Sequence, residues 1–221
     1  MLKRLFALAA GFLMVAACSA EEPAAPAKVA ETQWVAGQHY FVIDPPAPTA
    51  SADKIEVVEA FSYACPHCAH FQPSADELKA KLPKGVSFSY LPAVFHESWE
   101  PFARAFYAAE ALGVLNSTHQ ATFDALHRDH KSLNDLPSIA QFYGTLGIDP
   151  KGFLSTAQSF VVEGKLAKGQ EMLQKYGIDG TPTLIINGKY RVTGGSAGSL
   201  PQMIDVTLFL VNKELAAKKA K

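Results

Sequence analysis

The 221-residue chain is 48% hydrophobic, enough to bury a sizeable core in one domain or in one domain carrying an insertion. Twenty Lys and Arg stand against twenty-one Asp and Glu, a formal net charge of −1. That balance excludes the basic footprint of a nucleic-acid binder and gives no electrostatic case for an acidic substrate, so a partner has to be read from chemistry.

The chain opens with Lys3 and Arg4, an apolar run from Leu5 to Ala17, and small residues just before Cys18. This is the pattern of a secretory signal peptide, and the run is shorter than the roughly 20 apolar residues a membrane-spanning helix needs. The stretch VAAC (15–18) resembles a bacterial lipobox, in which cleavage precedes the cysteine and the new N-terminal Cys18 carries lipid. By the same resemblance, Ser19 directs the protein to the outer membrane. An ordinary signal cut near Ala20, discarding Cys18, is the alternative. Residues 19–35 are small, charged and proline-containing, which predicts a flexible tether. Export places the mature chain in an oxidising compartment, the periplasm, with one close cysteine pair.

HYFVI (39–43) reads as a short strand, and IEVVEAFSY (55–63) as a buried central strand because it is nearly continuously apolar. A helix follows from Cys65 to Leu82, in which Pro73 predicts a kink, and VSFSYLPAVF (86–95) alternates as a second strand. Residues 98–177 break into short segments with apolar residues three and four apart and Gly, Pro or Asn at the joints, the pattern of a compact helical insert. Two β-rich runs then flank Asn187-Gly188, a hairpin signal, and an amphipathic helix closes the chain at about 198–216. The expected class is α/β with an inserted all-helical domain, in parts 36–97, 98–177 and 178–216.

The segment Cys65-Pro66-His67-Cys68 follows a strand and opens a helix. Pro66 fits the first turn, where its missing N–H costs nothing. A thiolate at Cys65 would sit at the positive end of the helix, beside His67, and both settings lower a thiol's pKa. Cys68 lies one turn on and near enough to close a disulfide. With a Cys65 pKa of about 4.5, the reduced form would gain roughly 3.4 kcal/mol at neutral pH and the couple would become more oxidising by roughly 75 mV. A structural staple over four residues restrains little of the unfolded chain. A copper or zinc carrier using Cys65, Cys68 and His70 stays open, although a closed zinc site draws a second ligand pair and no further cysteine remains. Glu59 is independently odd, because an acid inside VVEAF is costly to bury unless paired or working.

Strand, FSYACPHC, helix, helical insert, GIDGTPTLIINGKY and closing helix together resemble the DsbA family of thioredoxin-fold thiol oxidases over roughly residues 36–214. The resemblance implies a thioredoxin-like fold with an exposed nucleophile, Cys65, a buried resolving Cys68, and Pro66 and His67 as the dipeptide that tunes the potential. It implies a cis bond at Thr181-Pro182 facing the dithiol, and Glu59 beneath it as proton acceptor for the buried cysteine. The second strand has no lysine to pair with Glu59. The implied activity is donation of the Cys65–Cys68 disulfide to reduced exported polypeptides, with no metal and no cofactor beyond that disulfide. Reoxidation by a quinone-linked membrane partner of the DsbB kind follows. Thr181 also precedes this proline in isomerases and reductases, which keeps that activity as an alternative. The short tether, in place of a dimerisation domain, points to a monomer and to oxidation.

Overall fold

The run IEVVEAF forms the centre of a five-stranded sheet. In chain order the strands are β1 (Phe41–Val42), β2 (Ile55–Phe61), β3 (Val86–Pro92), β4 (Thr183–Ile186) and β5 (Tyr190–Thr193). Across the sheet the order is β1-β5-β4-β2-β3, with β2 parallel to β3 and every other neighbour antiparallel. The helices are α1 (Pro66–Lys81), α2 (Glu100–Ala111), α3 (Leu115–Phe123), α4 (Leu136–Thr145), α5 (Pro150–Ala157), α6 (Phe160–Tyr176), α7 (Gly194–Ala197) and α8 (Gln202–Lys219). The computed structural model describes residues 34–220. The expected signal peptide with its lipobox, Cys18 and the tether as far as residue 33 lie outside the described residues.

Every residue of β2 is buried because both faces of the sheet are covered. With side chains alternating, Ile55 and Val57 meet Phe71, Leu78, Met203 and Leu210 from α1 and α8. Val58 and Ala60 meet Leu173 and Tyr176 from α6 on the other face. Each large apolar side chain fully buried this way contributes about 1.5–3 kcal/mol. The α2–α6 block packs around Phe106, Phe123, Tyr143 and Phe153, and this core runs on through Phe61 and Tyr63 to both cysteines.

Several boundaries differ from those expected. β1 spans two residues rather than 39–43, because the chain soon reaches Asp44-Pro45 and proline has no N–H to extend a ladder. β2 ends at Phe61, where a turn begins, and β3 ends at its register partner Pro92, with one last bond from Ala93 N–H to Phe61 C=O at 2.7 Å. The closing helix both starts and ends later than 198–216, since Gly198 (φ 97°) ends α7 in the left-handed region and Pro201 caps α8. α1 is continuous through Pro73. The hairpin forms as read: Asn187 (φ 52°) and Gly188 (φ 64°) are both left-handed, and Lys189 N–H donates to Ile186 C=O at 3.0 Å.

Candidate active site

Where β2 ends, Ser62 to Cys65 form a turn in which Cys65 N–H donates to Ser62 C=O at 3.1 Å. That turn brings Cys65 to the N-cap of α1 with extended backbone (φ −87°, ψ 116°), and Pro66 takes the first helical position. Cys65 C=O accepts the first bonds of the helix, from Cys68 N–H at 3.1 Å and Ala69 N–H at 3.2 Å. No side chain caps the helix, so its free N–H groups are left to the Cys65 sulfur.

Cys65 and Cys68 are both free thiols, and their environments drive them apart. The Cys65 thiol is lowered to about 5, first by a hydrogen bond from Cys68, against the opposing effect of burial. Thr181 and the N–H groups of Cys68 and His67 lower it further. Cys65 Sγ meets Thr181 C=O at 3.4 Å, and the buried Thr181 hydroxyl, with no partner among the described residues, is free to donate to a thiolate. Burial pushes Cys68 in the opposite direction, far above an ordinary thiol, and the charges of Cys65 and Glu59 add to the rise. Cys65 is 5% exposed, less open than the resemblance implies: it belongs to the core that holds Phe61 and Tyr63, and its sulfur meets the Thr181 carbonyl.

The Thr181-Pro182 bond is cis, as the resemblance implies, and Asp44-Pro45 is a second cis bond with no counterpart in the sequence reading. Pro182 is buried, while His67 and Pro66 are exposed at the start of α1. His67, Thr181, Pro182, Gly194, Gly195 and Leu200 line a groove of about 470 Å³ beside the dithiol. His70 is exposed, and no group of three or more His, Cys, Asp or Glu among the described residues could hold a metal ion.

Glu59 is fully buried, its charge acts on Cys68, and neither carboxylate oxygen has a hydrogen-bond partner among the described residues. Burial pushes its carboxyl up to about 8; Lys79 pulls it down and Asp76 pushes it up. The cation missing from β3 therefore comes from α1. Tyr90 is the register partner of Glu59 on β3, its hydroxyl accepts from Lys79 Nζ at 2.9 Å, and Lys79 pairs with Asp76 at 2.6 Å. The sequence reading missed Lys79 and Tyr90, and it also missed two histidines of the helical insert that touch Tyr63, two residues before Cys65.

A family model described as a DSBA-like thioredoxin domain matches residues 91–200. The thiol:disulfide interchange protein DsbA of Pseudomonas aeruginosa is 39% identical over 186 residues, covering 84% of this chain and 88% of that relative. The chain belongs to the DsbA family. A DsbA of Burkholderia cepacia is 34% identical over 207 residues and 93% of each chain is covered. The crystal structure of Pseudomonas aeruginosa DsbA matches with a TM-score of 0.80 at 39% identity, over 84% of this chain and 97% of that one. The fold is thus the thioredoxin-like DsbA fold, with helices α2–α6 inserted between β3 and β4. The protein is a thiol:disulfide oxidoreductase of the DsbA family.

Proposed function

We propose that this DsbA-family protein is a periplasmic oxidase that gives its Cys65–Cys68 disulfide to reduced exported polypeptides. In the reaction a substrate thiolate attacks Cys65 Sγ, a substrate–Cys65 bond forms, and the Cys65–Cys68 bond breaks with its electron pair going to Cys68. Glu59, a carboxylic acid still protonated near neutral pH, gives Cys68 the proton; on reoxidation the proton returns along the same route. A second substrate thiolate then attacks the substrate sulfur and Cys65 leaves as a thiolate. The substrate is oxidised by two electrons and the dithiol is reduced by two. Pro66 and His67 tune the leaving group, and Thr181 and Pro182 hold the substrate chain beside it.

The observation that carries this reading is the opposition of the two thiols, Cys65 lowered to about 5 and Cys68 raised. A stabilised thiolate on one sulfur favours the reduced state, which makes the disulfide oxidising. No bound cofactor is required. A quinone-linked membrane protein of the DsbB kind restores the disulfide, and the protein works as a monomer, tethered to the outer membrane through lipid on Cys18. The VAAC sequence, Ser19 and the polar stretch behind them support that last point.

Substrate trapping tests the assignment of roles. In Cys68→Ala the lone Cys65 thiolate attacks a substrate disulfide, one substrate sulfur leaves as a thiolate, and no neighbouring thiol remains to displace the substrate from Cys65, so mixed disulfides accumulate, whereas Cys65→Ala traps none. Trapping by the Cys65→Ala protein instead would reverse the two roles.

A further inference from the structure

The turn that presents Cys65 is held from outside its own strand and helix. Ser62 to Cys65 is closed by Cys65 N–H on Ser62 C=O, so the peptide joining Tyr63 to Ala64 is its central one. The central peptide distinguishes one turn type from another, and rotating it re-aims the residues that follow. Cys65 is the next residue.

That peptide and its side chain are gripped at both ends by the helical insert. His127 donates Nε2–H to the Tyr63 carbonyl at 2.7 Å, fixing the plane of the central peptide. His119 Nδ1 meets the Tyr63 hydroxyl at 2.9 Å in a buried contact. The two histidines lie 64 and 56 residues away along the chain. His119 is on α3, and His127 is in the single π-helical turn Asp124–Arg128 that continues α3 and packs against α1. Such turns are rare and recur at functional sites, because the extra residue changes where the following side chains point.

The contact with His119 is a fixed strut rather than a switch. Its ring is enclosed by Phe61, Tyr90, Phe106 and Phe123. Burial holds the imidazole neutral, down to about 3, and holds the Tyr63 hydroxyl protonated. The hydroxyl therefore donates to Nδ1 across the working pH range. The Tyr63 carbonyl needs only a donor, and Nε2–H of His127 supplies one.

We infer that His119 and His127 form a two-point clamp on Tyr63 through which the helical insert fixes Cys65 at the start of α1 and so sets its redox behaviour. Both histidines bond to Tyr63 rather than to the sulfur, so both are positioning residues. A Cys65 displaced by a few tenths of an ångström loses alignment with the N–H groups of His67 and Cys68 and with Thr181. On this account the insert holds the redox turn in place as well as extending its core.

The inference rests on Cys65 being the stabilised thiolate of the proposed function. The test uses the mature protein and three variants, with the Cys65 thiolate titrated by its ultraviolet absorbance and the dithiol equilibrated against glutathione. His127→Leu removes the donor at similar bulk, His127→Gln restores an N–H at a similar reach, and Tyr63→Phe removes only the hydroxyl contact. In His127→Leu the Cys65 midpoint should rise by about one unit and the equilibrium constant for oxidising glutathione at neutral pH should fall about tenfold. His127→Gln should return to within about twofold of wild type, and Tyr63→Phe should shift in the same direction as the leucine variant. An unchanged titration in His127→Leu, or equal shifts in the leucine and glutamine variants, overturns the clamp. If His127→Leu fails to fold, the Tyr63→Phe titration decides, a shift supporting the clamp and a wild-type value overturning it. A wild-type midpoint near 8 would instead fail the thiolate reading on which the clamp rests, so the two failures are distinct.

Discussion

Changing the pH should bend the reduction potential of the dithiol at the point where Cys65 titrates. Below that point, reduction takes up two electrons and two protons, and each proton contributes about 30 mV per pH unit in a two-electron couple, about 60 mV in all. Above about 5, Cys65 is left as a thiolate and only Cys68 takes a proton, so the slope halves to about 30 mV per unit. The folded value of Cys65 lies below its unfolded value of about 8.5. Its stabilisation of the reduced form is therefore complete above the unfolded value and is lost as pH falls through about 5. At pH 7 about two units are in force, about 3 kcal/mol, and the couple is more oxidising by about 60 mV than one with an ordinary thiol. The assay equilibrates the protein with glutathione buffers between about pH 4 and pH 8, traps free thiols by alkylation, and converts each ratio to a potential. Denaturant melts of the reduced protein should lose the same stabilisation as pH drops, while the oxidised protein does not share that loss. A single slope of about 60 mV per unit up to pH 8 would refute the reasoning, because Cys65 would then be an ordinary thiol.

Glu59 gives a second pH signature, of opposite sign. Its folded value of about 8 is above the unfolded carboxyl value of about 4.3, so the stabilisation it contributes is full below about 4.3 and is lost as pH rises toward 8, at up to about 1.4 kcal/mol per unit. Glu59→Gln should flatten that decline in melts of either redox form and slow reoxidation, and an unchanged pH profile would remove Glu59 from the account. Lys79→Met takes away the cation that lowers Glu59, and should move its titration upward in the same melts. Fatty-acid labelling should mark Cys18, and Cys18→Ala should abolish the mark; an unlabelled mature chain beginning beyond Ala20 would indicate ordinary secretion.

What was legible in the sequence is what depends on neighbours along the chain. The Cys65–Cys68 segment carries its own helix start in Pro66, and Asn187-Gly188 carries the backbone freedom its turn requires. Glu59 stood out because a charge interrupts an apolar run. Contacts across the fold left no such mark. His119 and His127 sit in unremarkable helical patterns, and their meaning comes only from meeting Tyr63 more than fifty positions away. A cation for Glu59 was sought on the neighbouring strand, whereas Tyr90 stands there and the charge reaches it from Lys79 on α1. The contact of Cys65 Sγ with the Thr181 carbonyl joins residues 116 apart, and no pattern along the chain announces it.

The central claim, that the dithiol acts as an oxidase, is tested most directly by mixing the oxidised protein with a reduced, unfolded substrate holding two cysteines and counting disulfides transferred. The account predicts close to one disulfide per molecule of protein, with Cys65 and Cys68 both left reduced. Weak transfer, together with strong repair of wrongly paired substrates by the reduced protein, would contradict it and move the protein to the isomerases.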